Sequence, residues 1–452
     1  MLIKGKKIMV MGIGITGVSA LKLLAEHNNE LFVYDEKPEL EIKEILIRNQ
    51  LINVEVIQEE MINMVQDVDF IVKSPGIPPD NMVIKFAMDK GIPVISDIEL
   101  AYNLGIQGTI IGITGTNGKT TSTILAGEIL NNNENRAHLA GNMGTGVLQV
   151  VENVQKEDYL VLELSSFQLE HTYLFKPKVS LILNITEDHL DWHGTFDNYK
   201  ASKFKIFANQ SGDDYLVLNK EDENLRNIEG KTRASIIWFS AKKELAQGVF
   251  INNGSIIYRN NESMEIILSL EDIKIPGVHN IENICGVVGV MKALGIDNDT
   301  IRTTIRNFKG VEHRIEYVGK WNGVDFYNDS KGTNVESTTK AIEAINNPIV
   351  LIAGGYNKGA NYDKFLKALQ NKSRALVLIG ETKEDIERAA ENIGIKVIYK
   401  AINMEDAVNK AISIAKIGDA VLLSPACASW DFYQNFEERG NHFKRIVKDL
   451  TE

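Results

Sequence analysis

The run Gly112-Ile113-Thr114-Gly115-Thr116-Asn117-Gly118-Lys119-Thr120-Thr121 gathers the residue types that phosphate chemistry needs. It follows the apolar stretch Thr109-Ile110-Ile111 and precedes a helix-like segment, Ser122 to Leu130. Small residues after a strand let backbone N–H groups curl around an anion, and the next helix adds positive partial charge at its N-terminus. Lys119 then reaches the terminal phosphates, and the Thr120 hydroxyl is placed to hold Mg²⁺. In the pattern G-x-x-x-x-G-K-[ST] the first Gly should fall on Ile113, whereas glycines stand at 112 and 115. The reading is a nucleoside triphosphate site with a displaced first glycine.

Two further clusters follow at strand ends. Tyr159-Leu160-Val161-Leu162 reads as a buried strand ending at Glu163-Leu164-Ser165-Ser166-Phe167-Gln168-Leu169. A carboxylate there can hold Mg²⁺ or cap the following helix. Val179 to Leu183 is another strand, running into Asn184-Ile185-Thr186-Glu187-Asp188-His189-Leu190-Asp191-Trp192-His193. Three acids and two histidines in seven residues exceed what a plain loop needs, although a solvated turn also accommodates Glu187 and Asp188.

A second glycine-rich turn lies near the N-terminus. The strand Lys7 to Met11 enters Gly12-Ile13-Gly14-Ile15-Thr16-Gly17, then a helical pattern from Val18 to Glu26, then Leu31-Phe32-Val33-Tyr34 ending in Asp35. This meets the dinucleotide fingerprint, with a diphosphate at the helix N-terminus and an acid on a ribose. Any diphosphate-linked nucleoside could use it. Phe70-Ile71-Val72-Lys73 is a strand followed by the rigid loop Ser74-Pro75-Gly76-Ile77-Pro78-Pro79, at the edge where open α/β sheets bind ligands.

The elements that carry these residues set the architecture. A chain of 452 residues exceeds one typical core. Strands alternate with helices throughout, the signature of parallel sheets. The expectation is an α/β protein of three domains: a Rossmann-like domain at 1–98, a P-loop-type central domain with a mostly parallel sheet at 99–310, and a Rossmann-like domain at 311–452. Forty-nine Lys plus Arg against 61 Asp plus Glu gives −12, which argues against a broad nucleic-acid surface. Cys285 and Cys427 form neither a disulfide framework nor a zinc pattern. No apolar run reaches membrane-spanning length and the N-terminus breaks at Gly12 and Gly14, so a cytoplasmic protein is expected.

Taken together, Gly115 to Thr120, Glu163 to Leu169 and Asn184 to Asp191 resemble the Mur ligases, the ATP-dependent amino-acid ligases that build the peptide stem of peptidoglycan. The resemblance runs from Gly12 to Gly440. It implies that Gly115, Thr116, Asn117, Gly118, Lys119, Thr120 and Thr121 hold ATP. Asn198-Tyr199-Lys200-Ala201-Ser202-Lys203-Phe204 is similar to the family segment whose lysine is carbamylated, here Lys203. Thr120, Glu163, His189 and the modified Lys203 are the implied ligands of two Mg²⁺ ions, with Lys119, Glu163, His189 and Lys203 as the catalytic set. Gly277-Val278-His279-Asn280-Ile281-Glu282-Asn283 is similar to the segment whose asparagines, Asn280 and Asn283, contact adenine. Glu312-His313-Arg314-Ile315-Glu316 places Arg314 on the ATP phosphates, and Asn328-Asp329-Ser330-Lys331-Gly332-Thr333-Asn334 places Asp329 near the ribose.

The resemblance also revises the first domain, which implies a UDP-sugar rather than NAD. Ile15, Thr16, Asp35, Ser74, Pro75 and Gly76 are the implied contacts, joined by Asn142 and His189. Ser424-Pro425-Ala426-Cys427-Ala428-Ser429 with Asn435-Phe436-Glu437-Glu438-Arg439-Gly440 is similar to the branch that adds D-glutamate. Lys331, Thr333, Lys358, Ser429 and Phe436 are its implied contacts. The implied substrates are UDP-N-acetylmuramoyl-L-alanine and D-glutamate, joined through an acyl phosphate by a monomeric chain. Two rival readings share some motifs: a folylpolyglutamate-synthetase-like or other amino-acid ligase, and a non-enzymatic UDP-sugar-binding module. A dehydrogenase would leave the second loop and the Glu163 and His189 clusters without a role.

Overall fold

The computed structural model describes residues 3–58, 65–133, 136–356 and 359–451. The chain divides into two compact units, Met1–Asp272 with Ile281–Arg306, and Ile273–Asn280 with Asn307–Glu452. Among the described residues no helix is long and apolar enough to cross a membrane.

The first unit holds two sheets. One has five parallel strands, Lys7–Met11, Glu30–Tyr34, Glu55–Val56, Phe70–Lys73 and Val94–Ser96, in the spatial order third, second, first, fourth, fifth. The order reverses between the first and fourth strands, so the loops after Met11 and Lys73 part to opposite sides and leave a crevice. Gly12 lies in that crevice at φ +92, and a Cβ there would meet Ser74 Oγ at 2.7 Å. Gly17 is more constrained: its Cβ would fall 1.7 Å from the Gly12 carbonyl oxygen. Close packing of helix Ile15–Ala25 on the first strand therefore requires glycine.

The second sheet has nine strands. Seven are parallel, from Ala137–Gly141 at one side to Gly248–Asn252, and Ser255–Arg259 and Met264–Ser269 extend it antiparallel. The strand Thr109–Thr114 pairs with Tyr159–Glu163 on one side and Val179–Ile182 on the other. These central strands are covered on both faces, which is why they read as continuous apolar runs. Ile111, Ile113, Leu160, Val161, Leu162, Val179 and Leu181 are all fully buried. Each such side chain contributes about 1.5–3 kcal/mol on burial. The register brings the ends of three strands together, so the loop after Thr114, Glu163 and Asn184 share one edge.

Hydrogen bonds join the two sheets. The Glu99 carboxylate accepts the backbone N–H groups of Tyr173, Leu174 and Phe175 at 2.9, 2.8 and 3.0 Å. Gln168 Nε2 donates to Asp97 Oδ2 at 3.2 Å, and Ser96 N donates to His171 O at 2.9 Å.

The second unit is a six-stranded sheet in the order Glu316–Trp321, Val324–Asn328, Ala420–Leu423, Ile349–Ala353, Ser373–Leu378, Ile398–Lys400. Only the first pair is antiparallel. Asn328 and Leu423 are register partners, so the loops that follow them leave the sheet side by side.

Candidate active site

Helix Lys119–Asn131 begins at Gly118, φ +85, with no side-chain cap on its first N–H groups. A helix N-terminus that follows a glycine turn is the kind of place where an anion binds. Gly115 takes φ +156. Gly112, in contrast, lies inside the strand, where a Cβ would press on the Ile206 and Leu164 side chains at 3.1–3.2 Å. The displaced glycine therefore serves packing, and the turn is made by Gly115 and Gly118. Asn117 and Asn184 lock the loop reciprocally: Asn117 N donates to Asn184 Oδ1 at 2.9 Å, and Asn184 Nδ2 donates to Asn117 O at 3.2 Å. Thr116 Oγ1 lies 2.9 Å from Tyr199 OH and donates to Thr186 O at 3.1 Å. Asn283 sits against Gly118, whose Cβ would come 2.2 Å from its Oδ1.

Two lysines converge on one carbonyl. Lys119 Nζ donates to Gly115 O at 2.8 Å and Thr116 O at 2.9 Å, and Lys203 Nζ donates to Gly115 O at 3.0 Å. Lys203 also reaches Thr114 Oγ1 at 3.3 Å and lies over the Tyr199 ring. It is almost completely buried. Burial, reinforced by Lys119, holds its amine well below the ordinary lysine range, with Asp188 opposing.

Glu163 ends its strand almost fully buried, at 2 % exposure. Its Oε1 accepts from Asn142 Nδ2 at 3.0 Å, while Oε2 has no hydrogen-bond partner among the described residues. A buried, unsatisfied carboxylate oxygen is costly unless something positive or hydrogen-bonding meets it. Thr120 is buried at the start of the loop helix. Ser165 and Gln168 form the capping box of the next helix, so that cap is Ser165 and not Glu163. His189 takes φ +51, pairs with Asp188 at 3.5 Å and packs on Phe167. Among the described residues no three His, Cys, Asp or Glu side chains gather as a metal cluster. A cation on Glu163 would need hydroxyl, phosphate or modified-lysine oxygens to complete its shell.

The first loop is built differently. Helix Ile15–Ala25 starts at Gly14, again without a side-chain cap. Asp35 braces the turn, its Oδ2 accepting from Ile13 N at 2.7 Å and its Oδ1 from Lys37 N at 3.0 Å. A cavity of about 190 Å³ opens beside it, lined in part by Gly12, Tyr34, Asp35, Glu36, Gly76 and Ile77. Ile15 stands exposed at the loop, Thr16, Ser74 and Pro75 are half-buried, and Gly76 is exposed.

In the second unit Asp329 is buried, with Oδ2 accepting from Ser424 Oγ at 2.6 Å and Oδ1 from Ile315 N at 3.2 Å. Burial raises its carboxyl to about 7, opposed by Ser424 and by Arg314. Arg314 is half-buried, and its Nε has no hydrogen-bond partner among the described residues. Asn280 donates to Pro276 O at 2.6 Å. Lys331 lies over the Phe436 ring at 5.4 Å, Thr333 is half-buried beside it in the chain, and Ser429 is buried. Lys358 lies outside the described residues.

Three family models match this chain: a Mur ligase MurD-like N-terminal domain at residues 6–96, a Mur ligase middle domain at 113–291 and a Mur ligase glutamate ligase domain at 313–427. The chain belongs to the Mur ligase family. Relatives named UDP-N-acetylmuramoylalanine–D-glutamate ligase include one from Thermoanaerobacter sp. (strain X514), 44 % identical over 99 % of each chain. Another, from Clostridioides difficile (strain 630), is 43 % identical over 99 % of each. Among solved structures, Thermotoga maritima UDP-N-acetylmuramate-alanine ligase MurC aligns with TM-score 0.59 and 19 % identity over 98 % of this chain and 99 % of that one. Thermotoga maritima MurF ligase, solved in complex with ADP, gives 0.59 and 17 % over 99 % and 96 %. These likenesses establish the three-domain Mur ligase fold.

Some contacts in each unit are made between positions far apart in the chain. Asn184 and Tyr199 meet the phosphate loop across 67 and 83 residues of chain. Arg439 is buried and bonds Ser330 Oγ, Ser330 O, Cys427 O and Ala428 O at 2.9–3.2 Å, tying the Asn328 and Ser424 loops together. Its place in the Asn435 to Gly440 motif was the available sign.

Proposed function

We propose that this chain joins D-glutamate to UDP-N-acetylmuramoyl-L-alanine at the cost of ATP, giving ADP and phosphate in peptidoglycan precursor synthesis. The unsatisfied buried oxygen of Glu163, on the edge that carries Lys119 and the uncapped helix, is the observation that carries the reading. The names of the full-length relatives agree with it. The reading assigns the UDP substrate to 1–98, ATP to 99–310 and the amino acid to 311–452.

The loop amides of Gly115 to Thr121 and Lys119 hold the triphosphate, and Asn283 and Asn280 serve the adenine. Phosphoryl transfer is positioning and charge neutralisation more than covalent chemistry by the protein. The L-alanyl carboxylate attacks the γ-phosphorus, the bond to the β-phosphate oxygen breaks, and ADP leaves an acyl phosphate. The D-glutamate amine, having lost a proton, attacks the acyl carbon, and phosphate departs as the amide forms. Glu163, Thr120 and His189 would hold Mg²⁺ by their donor chemistry, and the ion would supply neutralisation of phosphate charge. Lys203 would become a carbamate: its neutral amine adds to CO₂ and loses a proton to water, which gives it oxygen donors in place of an amine. The first loop with Ile15, Thr16, Asp35 and the Ser74-Pro75-Gly76 turn holds the UDP moiety, with Asn142 and His189 toward the muramoyl end. Arg314 and Asp329 serve the nucleotide, and Lys331, Thr333, Ser429 and Phe436 the D-glutamate.

Phosphate release measured with UDP-N-acetylmuramoyl-L-alanine and one amino acid at a time tests this. D-glutamate alone should support turnover. Turnover with lysine or diaminopimelate in its place overturns the assignment.

A further inference from the structure

Lys73 ends the strand Phe70–Lys73 and has no exposed surface. An ammonium carries three N–H donors. Lys73 Nζ spends them on the turn that follows it, donating to Ile77 O at 2.6 Å, Ser74 O at 3.2 Å and Pro75 O at 3.4 Å. That turn is poor in donors of its own, because Pro75, Pro78 and Pro79 have no amide hydrogen. Ile77 N closes it weakly on Ser74 O at 3.2 Å. Without the ammonium, the Pro75 and Ile77 carbonyls would face a buried space unpaired.

The other side of the ammonium faces an aromatic ring. Lys73 Nζ lies 5.3 Å from the centre of the Trp192 ring, within cation–π range. Trp192 packs on Phe167 at 4.7 Å, and Phe167 packs on His189 at 4.8 Å. A continuous path of contacts thus runs from the Ser74 to Ile77 turn in the first sheet to His189 at the edge of the second.

We propose that Lys73 is a positioning residue of the nucleotide-sugar site: it fixes the Ser74 to Ile77 turn by its carbonyls and, through Trp192 and Phe167, sets that turn against His189. The inference rests on the UDP-substrate reading above. Burial lowers the Lys73 amine to about 8, with Asp97 and Glu170 keeping it charged near neutrality.

The test is steady-state kinetics of Lys73→Met, Lys73→Arg and Trp192→Leu in the full chain, with calorimetric titration of UDP. Lys73→Met should raise KM for UDP-N-acetylmuramoyl-L-alanine on the order of tenfold, the effect of leaving one buried carbonyl without its charged donor. KM for ATP and for D-glutamate should stay within about twofold, and Lys73→Arg should recover part of the loss by keeping a charged donor. Trp192→Leu, which leaves the ammonium in place on a half-buried site, should shift the same KM in the same direction by a smaller factor. It carries the test if Lys73→Met does not fold. An unchanged KM for the UDP substrate, or a parallel rise in all three KM values, overturns the proposal. Absence of D-glutamate-dependent turnover in the parent protein instead overturns the functional reading beneath it.

Discussion

The molecule contains two strand–glycine-turn–helix loops that are near copies in outline and opposite in provision. Both helices start at a glycine, so neither is capped by the side chain of its first flanking residue. Around Gly12 to Gly17 the support is a carboxylate, Asp35, which braces the turn from behind. Around Gly112 to Lys119 the support is an amine at the front, Lys119 on the Gly115 and Thr116 carbonyls, with the buried amine of Lys203 meeting it at Gly115 O. A turn braced by a carboxylate can hold a diphosphate that is not meant to react. Phosphate transfer needs positive charge where negative charge develops, and at the second loop Lys119 is placed to supply it. Glycine-rich turns thus establish where phosphate sits, and the side chains beyond the turn decide whether it reacts.

The largest expected effect separates the loops by function. Lys119→Met should lower phosphate release about 10³-fold, as loss of one preorganised charged donor does elsewhere. UDP binding measured by calorimetry should be unchanged. If UDP binding falls in parallel, the two loops do not act as separate sites and the comparison breaks.

The glycines should fail in different ways. Gly17→Ala drives a Cβ to 1.7 Å from a backbone oxygen, so the helix must move off the strand. The expected cost is about 1–3 kcal/mol or more, read by denaturant unfolding. Gly118→Ala meets the Asn283 side-chain amide, which can turn away, leaving mainly the left-handed backbone to be strained, at about 1–2 kcal/mol. Its larger signature should be a raised KM for ATP. Equal losses of stability would show that Asn283 is as immovable as backbone.

Asp35→Ala sharpens the comparison from the other side. It removes the acceptor of two backbone N–H groups in the first loop, and KM for the UDP substrate should rise on the order of tenfold. KM for ATP should not move. A change in ATP kinetics would mean that the first loop's brace reaches the second.

The alternation of apolar runs with glycine turns made the sheets legible, because a parallel strand buried on both faces has to be apolar along its length. Phe70–Lys73, Ile349–Ala353 and Ala420–Leu423 fall where their composition predicts. The stretch from 205 to 275 offered strands without a motif, and it supplies three parallel strands and the antiparallel pair that extends the nine-stranded sheet. Glu163 was legible as the carboxylate that closes a buried strand, while its choice between metal holding and helix capping stayed open in the sequence. What stayed hidden is set by long-range pairing. Lys73 closes a strand in the sequence with nothing to mark it as buried, and it is fully buried, since its partners are carbonyls in its own turn and a ring 119 positions later. Asn184 is one amide in a polar run until the sheet register sets it opposite Asn117. The helix cap at Ser165 lies beside Glu163 in the chain, and only the fold shows which of the two caps.

The smallest effect concerns what lies behind the second loop. His193 is buried between Ser166 Oγ at 2.9 Å and Ser202 Oγ at 3.4 Å, and burial lowers it to about 4. The unfolded chain takes up a proton near 6.5 that the folded chain refuses until about pH 4. Stability from this residue is therefore complete above pH 6.5 and drains as pH falls toward 4. His193→Gln keeps a hydrogen-bonding group without the titration. The gap in Tm between parent and variant should be widest near pH 7.5 and should narrow on acidification, by on the order of 1–3 kcal/mol in stability. His171 and His279 drain in the same direction, while Asp97 and Asp329, raised to about 6 and 7, lose stability as pH rises through the same range. All four remain in both proteins and cancel in the difference. A gap that stays constant from pH 7.5 to 4.5 would mean that His193 is not held neutral, and that the second loop rests on a charged group behind as well as in front.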